Sequence, residues 1–72
     1  MPDSVYKIVE LVGSSPSSWE DAAKVAIEKA SESLRDLRVA EVRELDVKLE
    51  SGKIVAYRAK VRISFKVEGE VA

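Results

Sequence analysis

The sequence predicts an α+β subunit with the element order β-α-β-β, and three observations carry that reading. An alanine-rich apolar stripe recurs at spacings of three and four through residues 19–37, the mark of a helix with one covered face. A run with a large apolar side chain or alanine at every second position follows over residues 55–67, the mark of a strand. Ser51 and Gly52 join that run to an apolar segment before it through a two-residue turn.

Residues 5–12, Val-Tyr-Lys-Ile-Val-Glu-Leu-Val, are rich in β-branched and aromatic types and run into a turn cluster, Gly13-Ser14-Ser15-Pro16-Ser17. They read as a first strand. Val5, Val9 and Leu11 fall on one face, and Tyr6, Ile8 and Val12 on the other, so both faces call for cover. Ser17, with Glu20 three residues on, fits a capping box, which starts the helix there and carries it over residues 18–36. Its stripe is Trp19, Ala23, Ala26, Ile27, Ala30, Leu34 and Leu37, and the many alanines let the helix approach a sheet closely.

Residues 39–50 read as a second strand whose apolar phase slips. Ala40 and Val42 are even, whereas Leu45, Val47 and Leu49 are odd, which predicts a β-bulge near Arg43 and Glu44. In the third strand Val55, Tyr57, Ala59, Val61, Ile63, Phe65 and Val67 alternate with Ala56, Arg58, Lys60, Arg62, Ser64 and Lys66. Residues 68–72 read as a frayed tail. A right-handed crossover leaves the first two strands parallel, and the last strand hairpins back between them. The expected sheet has three strands in an antiparallel-type arrangement, order 1-3-2, packed on one helix.

The 72 residues hold no cysteine and no histidine, which removes disulfides, thiolate zinc sites, thiol nucleophiles and the usual general base near pH 7. Twelve basic and 13 acidic side chains leave a net charge of −1, the wrong balance for a general nucleic-acid binder. No apolar run approaches the roughly 20 residues of a membrane span, and residues 1–7 lack the apolar core of a signal peptide. The expectation is a cytoplasmic, non-enzymatic protein with a single domain over residues 1–72. A chain this short buries only roughly 60% of its unfolded surface, so with 46% hydrophobic residues and no staples, self-association is the remaining source of stability.

Four groups of residues invite a chemical reading. Arg58, Lys60, Arg62 and Lys66 form a basic row with no interleaved aromatics, better read as a solvated face paired with Glu41, Glu44 or Glu10 than as a phosphate site. Glu41, Glu44, Asp46 and Glu50 are read first as surface charge, with a hard cation such as calcium as the competing reading once a symmetry axis multiplies each carboxylate. Trp19 is read as core or interface. Ser14, Ser15, Ser17 and Ser18 have no base beside them and read as turn and cap residues.

Taken together, the first strand with its Gly13-Ser14-Ser15 turn, the alanine-rich helix, Val39-Ala40-Glu41-Val42 and the final Val61-Arg62-Ile63-Ser64-Phe65-Lys66-Val67 resemble the dodecin family over about residues 4–68. The resemblance implies a dodecin fold assembled as a hollow homododecamer. It also implies a flavin pocket near two-fold axes, in which a tryptophan stacks on the isoalloxazine ring. That tryptophan's position is Val39 here, the glutamine that hydrogen-bonds the ring is matched by Arg58, and an arginine that meets a flavin phosphate in bacterial members is matched by Asp46. Ser15-Pro16-Ser17-Ser18-Trp19-Glu20, Arg38-Val39-Ala40 and Tyr57-Arg58 are similar to the non-flavin, calcium-dodecin branch. The implied function is a small-ligand or cation binding and storage shell, with Glu41, Glu44 and Asp46 as candidate cation ligands. Flavin storage and a purely structural assembly stand as the alternatives.

Overall fold

The computed structural model describes residues 4–67, so the expected frayed tail over residues 68–72 lies outside the described residues. The elements run β1 (Tyr6–Ser15), α1 (Trp19–Ser33), β2 (Leu37–Glu50) and β3 (Lys53–Lys66). β3 sits between β1 and β2 and pairs antiparallel with each, the expected 1-3-2 order. Because α1 crosses one face of this sheet, the alternation in β3 sorts its residues into two environments. Ala59, Val61 and Ile63 are buried beneath Ala22, Ala26 and Ala30, while Arg58, Lys60 and Arg62 point to the opposite face.

Gly13 corrects the expectation that β1 stops at a turn. The strand continues through it to Ser15, and a methyl group built on Gly13 would overlap the carbonyl oxygen of Ala22. The glycine is there because the helix backbone lies against it. Ala22, absent from the expected stripe, is fully buried for the same reason.

The cap is also displaced by one residue from the expected Ser17–Glu20 pair. Ser18 is the N-cap, its Oγ accepting from the Asp21 N–H at 3.0 Å. The Asp21 carboxylate turns instead to Ser15, whose buried Oγ donates to it at 2.7 Å and accepts from the Ser17 N–H at 3.0 Å. Ser18 thus caps the helix and Ser17 lies in the turn as expected, whereas Ser14 and Ser15, read as turn residues, are the last two residues of β1 and pair with Arg58 and Tyr57. At its other end α1 stops at Ser33, short of residue 36, where the C-cap Leu34 turns extended (φ −114°, ψ 148°), and the left-handed Asp36 (φ 56°) then steers the chain into β2.

Val42 pairs with Val61 and Glu44 with Lys60, which leaves Arg43 as the extra residue of a bulge where the phase slip placed it. Ser51 (φ 51°) and Gly52 (φ 75°) both sit in the left-handed region, as a type I′ hairpin turn requires. α1 lies over β1 and β3 and scarcely touches β2. The β2–β3 hairpin therefore extends past the helix, and the subunit measures 53 × 20 × 19 Å.

Candidate ligand and cation site

Strand pairing decides which of the candidate residues can meet. Residues opposite one another in antiparallel strands share a face. On the face away from α1, β3 presents Arg58, Lys60, Arg62 and Ser64, with Asp46, Glu44, Glu41 and Val39 of β2 opposite them in that order. Glu10 of β1 faces Arg62 from the other side. The Arg43 bulge is what lets Glu44 and Asp46 share this face with Glu41.

The charges on this face are paired. Arg58 makes a two-pronged contact with Asp46, Nε to Oδ1 at 2.7 Å and the terminal nitrogen to Oδ2 at 2.8 Å, the fork geometry that suits guanidinium to carboxylate. Lys60 reaches Glu44 at 3.3 Å, Arg62 reaches Glu10 at 3.0 Å, and Arg43 reaches Glu41 at 3.2 Å along β2. The hydrogen bond from Arg58 holds the Asp46 carboxyl below its usual range, and Asp46 in turn raises the already high pKa of Arg58. The Glu10 carboxyl is lowered by its hydrogen bond from Arg62, with the nearby Lys60 charge adding to it. Two of the expected cross-strand pairs, to Glu10 and Glu44, are present. Glu41 bonds Arg43 rather than the basic row, and the Asp46 pair lay outside the expectation.

The residues singled out by the family match fall into two places. Asp46 and Arg58 are direct partners. Val39, 61% exposed, lies opposite Ser64, six positions along β3 from Arg58 or about 20 Å at strand rise. One chain therefore does not bring Val39 and Arg58 into a common pocket. Glu41, Glu44 and Asp46 offer the oxygen donors that suit a hard cation, yet they stand in a row. Among the described residues no three acidic side chains converge on one point.

Trp19 belongs to the other face. Its indole Nε1 donates to the backbone carbonyl of Asp46 at 2.9 Å, and its ring meets Tyr57 edge-on at 5.2 Å and 77°. The start of α1 is thereby tied to the middle of β2. Trp19 is read correctly as packing on the sheet, but its 40% exposure leaves one side of the ring uncovered.

This three-stranded sheet of order 1-3-2 on a single helix is the fold that solved dodecin structures share. The dodecin family model matches residues 5–68, and the chain belongs to the dodecin family. It is 45% identical over 64 residues to calcium dodecin of Mycobacterium tuberculosis, covering 89% of this chain and 90% of that one. It is 34% identical to dodecin of Thermus thermophilus, covering 89% and 93%. The crystal structure of the M. tuberculosis calcium dodecin, described as calcium chelating with a novel calcium-binding site, superposes with a TM-score of 0.82 at 42% identity, covering 96% of this chain and 99% of that one. Streptomyces coelicolor dodecin superposes at 0.90 with 28% identity, covering 97% and 100%.

Proposed function

We propose that the chain is the subunit of a homododecameric, non-flavin binding or storage shell in the cytoplasm, taking a small ligand or cation, with calcium the foremost candidate, and performing no catalytic step. The observation that carries this reading is the Asp46–Arg58 pair. At the two positions where the family resemblance implies an arginine for the flavin phosphate and a glutamine for the ring, this chain holds a carboxylate and a guanidinium joined by two hydrogen bonds. Arg58 spends its Nε–H and a terminal N–H on Asp46, and a guanidinium has no lone pair to accept from a ring N–H. Val39 supplies no π-face for stacking. The 45% identity to a calcium dodecin supports the cation reading.

Of the acidic candidates, Glu44 is the readiest to release its partner. Its side chain is 70% exposed and touches Lys60 by a single contact at 3.3 Å, whereas Asp46 is held at two points. Calcium takes six to eight oxygens, so copies of Glu44 and Glu41 from several subunits around a symmetry axis form the expected ligand set. Binding to the folded state alone raises its stability by mass action. Millimolar calcium is expected to raise the melting temperature relative to chelator, and calorimetry to show saturable heat that Glu44→Gln reduces. No heat and no shift removes calcium from the proposal.

Titration of riboflavin or its phosphate tests the flavin side. Base–aromatic stacking, worth roughly 1–3 kcal/mol per ring, is the guide to what Val39 forfeits. Negligible fluorescence quenching is expected from the wild-type protein, with partial recovery in Val39→Trp, Arg58→Gln. Tight quenching by the wild type overturns the non-flavin reading.

A further inference from the structure

The helix-side face of β2 is apolar and uncovered. Val42 and Leu45 are about half exposed, and with Trp19, Ala23 and Ile27 of α1 they line an open groove of about 460 Å³. Farther along the same hairpin Leu49 and Ile54 sit opposite one another, also more than half exposed, with nothing of the helix beneath them. One chain thus carries an apolar hollow and an apolar tip, and neither can satisfy the other. Leu49 lies four residues beyond Leu45 on a continuous strand, about 13 Å away, so the tip cannot fold back into its own groove.

The charges at the two places are opposite in balance. The groove is rimmed by Glu20, Lys24 and Glu28, none of which makes an ion pair among the described residues. At the tip Lys48 pairs with Glu50 at 3.8 Å, and Lys53 is left over beside Ile54. The rim is net negative by one charge and the tip net positive by one. Exposed apolar surface that is continuous and rimmed by charge marks a protein contact.

We infer that the groove between α1 and β2 receives the β2–β3 hairpin tip of a second copy of this chain, with Leu49 and Ile54 packed on Trp19 and Leu45 and with Lys53 near the Glu20 and Glu28 rim. The inference rests on the assembly reading above and adds which surface meets which. A small apolar ligand is the other occupant a groove of this size admits. It leaves the tip uncovered, whereas a second copy covers both.

The test uses full-length protein and two readouts. Light scattering is run on Leu49→Asp, Ile54→Asp (tip) and on Leu45→Glu (groove), all at exposed positions of the subunit, with far-UV circular dichroism to confirm the fold. Each variant alone is expected to yield a particle smaller than wild type, and an equimolar mixture to yield a larger particle than either, because an intact tip then meets an intact groove. The second readout is Trp19, the sole tryptophan, whose emission is expected to shift to shorter wavelength as the wild type assembles from dilute solution. Variants that assemble like wild type, a mixture that recovers nothing, or an assembled particle whose Trp19 is still quenched by acrylamide or displaced by an apolar dye each overturn the tip-in-groove contact while leaving assembly standing. A wild-type chain that stays a folded monomer at micromolar concentration overturns both.

Discussion

Arg58 and Asp46 show how much a single contact changes the meaning of two substitutions. Taken separately, Asp46 reverses the sign of a phosphate contact and Arg58 loses an acceptor. Opposite one another on β2 and β3 they are one neutral, doubly hydrogen-bonded unit. Because the folded Asp46 carboxyl is held below its usual range, its contribution to stability is complete above the unfolded value and is lost as the pH falls through the folded one. Glu10 beside Arg62 behaves alike. The gap in melting temperature between wild type and Asp46→Asn is therefore expected to be present at pH 7, to close below about pH 4, and to shrink in molar salt, since both groups are solvent-exposed. A gap that persists at pH 2 contradicts the ion pair as its source. Sequence reasoning listed both residues as candidates but did not join them, because their pairing depends on the hairpin register and on its shift between Lys48 and Leu49. The bulge at Arg43, farther from the turn, was legible from the parity change between Val42 and Leu45, whereas plain counting back from Ser51 and Gly52 places Asp46 opposite Tyr57; the irregularity at Lys48 and Leu49, which no sequence signal marked, brings it to Arg58.

At the scale of the elements, the fit of α1 on β1 is set by small residues. Ala22, Ala26 and Ala30 form the buried side of the helix, and Gly13 lets the Ala22 backbone come to rest on the strand. Gly13→Ala forces helix and strand apart, and is expected to cost about 2–3 kcal/mol, the upper part of the range for overpacking a close contact. Denaturant titration at pH 7 reads this directly, and an unchanged midpoint contradicts the close approach. The element order, the 1-3-2 sheet, the β3 alternation and the I′ hairpin were all legible, since each rests on local periodicity or turn chemistry. The glycine and the helix ends were not. A glycine beside serines and a proline carries the same local signal whether it turns the chain or admits a neighbour, and only the tertiary packing separates the two. Ser17 and Ser18 likewise offer the same hydroxyl to a cap, and the Ser15 to Asp21 bond selects Ser18.

The whole subunit is long, thin and lightly covered, with apolar residues exposed on both faces of its sheet: Tyr6, Ile8, Val12 and Val39 on one side, Val42, Leu45, Leu49 and Ile54 along the other. A chain of 7.9 kDa with six buried core residues among the described ones, four of them alanine, has little of its own to offset the entropy of folding. In the proposed shell, association supplies the missing burial and symmetric copies bring together a candidate site whose Val39 and Arg58 are too far apart in one chain to share a ligand. Native mass spectrometry of the undenatured protein, purified from cells without added ligand, reads subunit number and bound mass together. The expected result is a particle of twelve 7.9 kDa chains, free of flavin, whose mass rises in calcium-sized steps when calcium is added. A folded monomer, or a particle carrying flavin as isolated, contradicts it.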